Sequence, residues 1–240
     1  MHSFDIPKNK IEAGNKEEKF KKIVADLFER GLDDENCIGF HGTSLESIEY
    51  LMKNGHLPGQ VEEDEKYGYG KGEFFFYPKG EVFSGKESPF KEEFESDKEI
   101  MERAESYANV LSQTHYIIAK LELDLGNPKH QYIGRVLQLG LSDEAEDMID
   151  DFIKKGKTKK EIYKILNESK NRKGVVIGID KKVFDGFQCK VGHPSDEDGN
   201  YLHMNCATGM DIIFITGIEP MGQQEWDYLT ELQKRSNVGT

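Results

Sequence analysis

The residues GFHGTS, Gly39 to Ser44, gather a histidine, two glycines and two hydroxyl side chains within six positions. A histidine at a strand end can offer one ring nitrogen to a ribose hydroxyl. The glycine after it lets a ligand approach the backbone where a side chain would block it. The same residues also have a plainer reading. Thr43 and Ser44 are favoured helix caps, and the helical pattern LESIEYLMKNG follows directly, so HGTS also suits a capped turn. A second histidine, His203 in YLHMN, lies in a strand-like segment and reads as structural.

The elements that must position these residues follow from periodicity. KEEKFKKIVADLFERG sets Phe20, Ile23, Val24, Leu27 and Phe28 at helical spacing, a helix expected to lie against the main domain. Cys37 to His41 reads as a short strand. Leu45 to Asn54 reads as a helix with Ile48, Leu51 and Met52 inward and Gly55 as its stop. YGYGKG reads as a turn leading into EFFFYP, a buried strand ended by Pro78. Residues 79–98 are charged and read as an exposed loop or insertion. Lys98 to Ser112 reads as a helix with Ile100, Ala104, Tyr107, Ala108 and Leu111 inward.

HYIIAKLELDLG alternates apolar and polar residues after Ile118, the pattern of a half-buried strand, and Asn127-Pro128 ends it. Residues 142–170 read as a helical pair, an insertion or lid. Ser142 and Thr158 are its N-caps, Glu161 completes a capping box, and Gly156 separates the helices. GVVIGID (174–180) reads as a strand and SDEDGN (195–200) as a turn. YLHMNCATGMDIIFITGIEP holds two further strands, and Glu225 to Gln233 lies in a last helix. Strands and helices do not alternate regularly, which predicts an α+β fold. Residues 1–36, a polar segment and an amphipathic helix, precede a domain over 37–240.

The chain of 240 residues carries a formal charge of -13, which argues against broad attraction to nucleic-acid phosphates. Cys37, Cys189 and Cys206 form no CxxC and no even framework, and read as free thiols in a reducing cytoplasm. No Cys and His pair has zinc-finger spacing. MHSFDIPKNK lacks an apolar signal core, and no apolar run reaches membrane-spanning length. A cytoplasmic protein is expected, with delivery into a host cell left open.

Four segments in order, GFHGTS, GKGEFFF, ESYANVL and GMDIIFITGIEP, resemble the ADP-ribosyltransferase superfamily. The likeness is to the His-Tyr-Glu branch of PARP-like and diphtheria-toxin-like domains, over residues 37–220. It implies two small packed β-sheets flanked by helices, and an NAD+ site that needs no metal. By resemblance, His41 bonds the adenosine ribose and helps orient the nicotinamide end. Gly42 backbone groups hold the carboxamide, and Thr43 or Ser44 lines the dinucleotide. Phe74 and Tyr107 sandwich the nicotinamide ring, where stacking and the ring quadrupole favour a planar cation. Asp211 takes the place of the catalytic glutamate. It would accept a hydrogen bond from the nicotinamide ribose and stabilise positive charge as the glycosidic bond opens.

The chain departs from that pattern at three positions. Phe74 replaces a strand tyrosine, Ala104 replaces a small hydroxyl residue with Ser106 close by, and Asp211 is one methylene shorter than glutamate. Tyr67, Tyr69 or Tyr77 could supply the missing hydroxyl, and Glu219 is a second-choice acid. Phe74, Phe75, Phe76 and Tyr107 also suit a plain core, and Asp211 a solvated strand end. The expected function is an NAD+-dependent mono-ADP-ribosyltransferase, a bacterial or phage toxin or effector. Its macromolecular acceptor would be protein rather than nucleic acid, and an antitoxin or chaperone could hold it. A degenerate NAD+- or ADP-ribose-binding module is one alternative. An RNA 2′-phosphotransferase is another, although no arginine stands beside His41 to hold a phosphate.

Overall fold

Apolar, β-branched runs bounded by turns build the sheet. The computed structural model describes residues 13–58, 73–79, 97–140, 142–186, 189–192, 201–205 and 210–237. Within these, the strands are β1 (Cys37–Thr43), β2 (Glu73–Pro78), β3 (Val175–Asp180), β4 (Cys189–Gly192), β5 (Tyr201–Asn205) and β6 (Ile215–Pro220). All pair antiparallel, in the order β4-β5-β2-β1-β3-β6. Every residue of β3 is buried, the run Val175 to Ile179 as expected of a strand covered on both faces and Asp180 with it.

The helices are α1 (Ala13–Arg30), α2 (Leu45–Asn54), α3 (Asp97–Lys120), α4 (Pro128–Leu139), α5 (Asp143–Lys154), α6 (Lys159–Ser169), the single turn α7 (Val183–Gly186) and α8 (Gln223–Asn237). α1, α2 and α8 cover one face. There Val24, Leu27, Ile48, Leu51 and Leu229 pack with Phe76, Ile177 and Ile179. The N-terminal half of α3 covers the other face, setting Ala104 and Ala108 against Phe40 and Val176. Its C-terminal half leaves the sheet and forms a third core with α4, α5 and α6 around Ile117, Leu137, Phe152 and Ile162. α1 therefore packs into the main core, as its apolar stripe required.

Local capping chemistry sets several boundaries. Ser44 accepts from the Ser47 amide at the start of α2, and Gly55 closes that helix at φ 85. That left-handed conformation suits glycine, and a Cβ there would also meet the Phe20 ring. Ser142 caps α5, and Thr158 with Glu161 forms the complete capping box of α6. Gly156 lies between these helices. A buried ionic cluster ties the helices together. Arg172 Nη2 lies 3.1 Å from Glu46 Oε1 and 3.5 Å from Glu225 Oε1. The same guanidinium lies over the Tyr116 ring at 5.0 Å.

Two expectations need correction. The strand predicted from Ile118 is absent, because α3 continues to Lys120. The steps Thr114, Ile117, Ile118 and Leu121 bury a helical face, which overrides the local alternation. Residues 128–139 form α4, with Asn127 as N-cap accepting from the Lys129 amide and Pro128 in its first turn. In place of two packed sheets, the described strands form one, with a narrow joint described below. The expected turn YGYGKG (67–72), residues 80–96, SDEDGN (195–200) and the polar segment 1–12 lie outside the described residues.

Candidate functional site

Among the described residues β1 and β2 pair at Gly39 with Pro78 and Phe40 with Tyr77, and beside them the Lys79 amide donates to the Ile38 carbonyl at 2.8 Å. Beyond them β1 stays with β3 as far as Thr43, while β2 runs along β5 from Phe76 to Glu73. The seam is bridged by a side chain: His41 Nδ1 lies 2.7 Å from the Phe75 carbonyl oxygen. A carbonyl only accepts, so Nδ1 carries the hydrogen. Burial lowers the His41 pKa to about 4, against a weaker opposing pull from the Phe75 carbonyl. The ring is therefore neutral at pH 7, and Nε2 is left as an acceptor.

A cavity of about 70 Å³ opens at this seam. Phe74, Phe75 and Tyr107 form its aromatic wall, and Thr43, Ser47, His115 and Gln131 stand with His41 as its polar wall. His41 lies over Phe74 with ring centroids 4.2 Å apart, and Phe75 meets Tyr107 edge-on at 4.6 Å. The volume matches about two waters, so a planar heteroaromatic ring must displace a wall to enter. Phe75 and Tyr107 are only half-buried and are the candidates to move, whereas Phe74 belongs to the main core.

The structure thus gathers His41, Thr43, Phe74 and Tyr107 around one cavity. The expected sandwich of Phe74 and Tyr107 takes a different form: His41 stacks on Phe74, and Phe75 is the close ring partner of Tyr107. Gly42 is not among the cavity-lining residues. A Cβ on it would run into the backbone of Ala104 and Ala108, so the close approach it permits is that of α3. Ser44 is fully buried behind the cavity, with its Oγ 2.8 Å from His115 Nδ1.

Asp211 lies outside the cavity lining. It caps the 3-10 turn Ile212–Phe214, accepting from the Ile213 amide at 3.0 Å, and its backbone bridges to His56. Glu219 is exposed on β6, opposite Val176. Ala104 is buried, Ser106 is exposed, and Tyr77 packs in the core beside α3. His203 pairs through its backbone with Phe75. Tyr67 and Tyr69 lie outside the described residues.

Phe75, His115, Ser47 and Gln131 were not anticipated at the site. One signal was present: Tyr107, Leu111 and His115 lie at four-residue steps, a single stripe of α3, and all three line the cavity. The helix expected over Lys98 to Ser112 stops short of His115, whereas α3 runs on to Lys120 and carries the stripe through it. Among the described residues, no group of three or more His, Cys, Asp or Glu side chains is placed to hold a metal. Among them too, no helix is long and apolar enough to cross a membrane. Comparison with family models, with curated proteins and with solved structures finds no match to this chain.

Proposed function

We propose that the chain is an NAD+-dependent mono-ADP-ribosyltransferase with an ADP-ribosyltransferase-like fold. It acts in the cytoplasm as a toxin or effector on a macromolecular acceptor, protein rather than nucleic acid. The observation that carries this reading is His41, fixed in one tautomer at a strand seam beside an aromatic-walled cavity. Its free-acceptor Nε2 suits a ribose hydroxyl, and Phe75 and Tyr107 suit a cationic pyridinium ring. In the reaction the bond from the ribose anomeric carbon to nicotinamide breaks, and its electron pair leaves with neutral nicotinamide. The acceptor nucleophile then attacks the oxocarbenium-like carbon and loses its proton. The negative surface charge favours a protein acceptor over a nucleic acid.

One observation favours a second reading, a binding module without turnover. The carboxylate of Asp211 is engaged as a cap and lies outside the cavity lining, so catalysis needs it released toward the ribose. The phosphotransferase alternative gains no support, since no arginine lines the cavity among the described residues. The test is nicotinamide release from NAD+ with and without lysate, alongside transfer of labelled NAD+ and identification of the labelled product. Release that disappears in His41→Ala and Asp211→Ala supports the transferase. NAD+ binding without release under any acceptor supports the module, and failure to bind NAD+ sinks both.

A further inference from the structure

His115 follows Leu111 and Tyr107 on the cavity-facing stripe of α3 and is buried there. Its Nδ1 lies 2.8 Å from Ser44 Oγ and 3.1 Å from Ser47 Oγ. Both serines are buried at the start of α2, where Ser44 Oγ also accepts the Ser47 amide at 3.0 Å. Two hydroxyls therefore fix the ring from one side, and α2 and α3 are held together through it. Burial first, and the nearby His41 second, lower the His115 pKa to about 4. Both imidazoles at the cavity are neutral at pH 7.

The polar groups around this cavity share one property. Thr43, Ser47, Gln131 and the two histidines are uncharged donors and acceptors, and among the described residues no Lys, Arg, Asp or Glu lines it. A carboxylate entering such a site loses its water and finds no cation among the described residues, which is costly. A carboxamide loses less and finds both donors and acceptors.

We propose that His115, held by Ser44 and Ser47, is a second ligand-contacting residue that makes this cavity select a neutral carboxamide over the corresponding carboxylate. The inference rests on the reading of the cavity as the nicotinamide end of an NAD+ site. It assigns α3 a direct part in substrate choice, beyond its packing on the sheet.

The experiment is calorimetric binding of the full chain to two probes, NAD+ and nicotinic acid adenine dinucleotide, which differ only in that group. The wild-type protein should prefer the amide by about tenfold or more, about 1.4 kcal/mol. His115→Phe, folded by thermal melt, should bring the two affinities within about twofold, and His115→Gln, which keeps hydrogen-bonding capacity, should restore most of the preference. A merely structural histidine would weaken both probes by the same factor, and that result overturns the inference. So does equal wild-type affinity for the two, although NAD+ binding itself would still stand. Binding of neither probe overturns this inference together with the NAD+ site. Should His115→Phe not fold, Ser47→Ala takes its place, and an unchanged preference in that variant is the overturning result.

Discussion

His41 and Phe75 are joined side chain to main chain, imidazole Nδ1 to carbonyl oxygen at 2.7 Å, across the line where β1 and β2 separate. A strand partner would normally take that carbonyl. Here a ring takes it, and the cost of burying the ring is that it must remain neutral.

Stability should therefore fall in acid. In the unfolded chain each of His41 and His115 takes a proton near the ordinary value of 6.5, whereas in the folded protein each holds out to about 4. The unfolded state binds more protons within that window, so stability is complete above it and is lost as pH drops through it. The loss approaches about 3 kcal/mol per histidine by the acid end. Urea midpoints measured from pH 7 down to pH 4.5 should fall, and His41→Gln or His115→Gln should flatten the slope. An unchanged slope in both variants would contradict the burial of neutral imidazoles.

Gly42→Ala should damage the fold first and ligand affinity only as a consequence. The added methyl meets the α3 backbone at Ala104 and Ala108, which cannot rotate away as a side chain could. A cost of about 3 kcal/mol is expected. Thermal melts measure it. Intact stability with lost NAD+ binding would instead return Gly42 to a ligand-contacting role.

Phe74 and Phe75 should separate in the same pair of measurements. Phe74 is 5% exposed within the main core, so Phe74→Ala should cost about 3–5 kcal/mol. Phe75 is half-buried at the cavity, and Phe75→Ala should lose NAD+ affinity with a smaller change in melting temperature. Matching stability losses in the two variants would argue against Phe75 as the movable wall.

Asp211 can be dissected by two substitutions. Asp211→Asn retains a capping oxygen, while Asp211→Ala loses it at about 1 kcal/mol. If the carboxylate acts on the ribose, both variants should lose nicotinamide release although only one loses stability. Retained release in Asp211→Asn would restrict the residue to its cap.

The buried ions offer a contrast of the same kind. Arg172→Met leaves Glu46 and Glu225 facing one another without their shared cation, at a cost of about 3–5 kcal/mol. Glu46 already has its pKa raised by burial, against the pull of Arg172. Glu46→Gln should therefore cost far less. Denaturant midpoints for the two variants test the difference.

What the sequence made legible was local. Ser44 with Gly55, and Thr158 with Glu161, satisfy helix ends within a few residues, so α2 and α6 could be read directly. The end of α3 could not, because LELD after Ile118 alternates like a strand. Only packing of Ile117 and Leu121 against Leu137 and Phe152 decides for helix. The seam was hidden for a similar reason. It depends on where β1 stops pairing with a strand more than thirty residues away, and that register leaves no local mark. His41 could be singled out from its neighbours, whereas Phe75 and His115 became site residues only through that register and that helix length.

The short joint between β1 and β2 has a mechanical consequence. Few main-chain bonds among the described residues join the ribbon of β2, β5 and β4 to β1, while Phe74 and Phe76 anchor β2 in the main core, so opening of the seam that leaves those two rings in place is expected to cost less than global unfolding. A ligand seated in the seam would act as a rivet, adding RT ln(1 + [L]/Kd) to the closed state. Slowed amide exchange in β2 and β5 would then report occupancy even in a variant that no longer turns anything over.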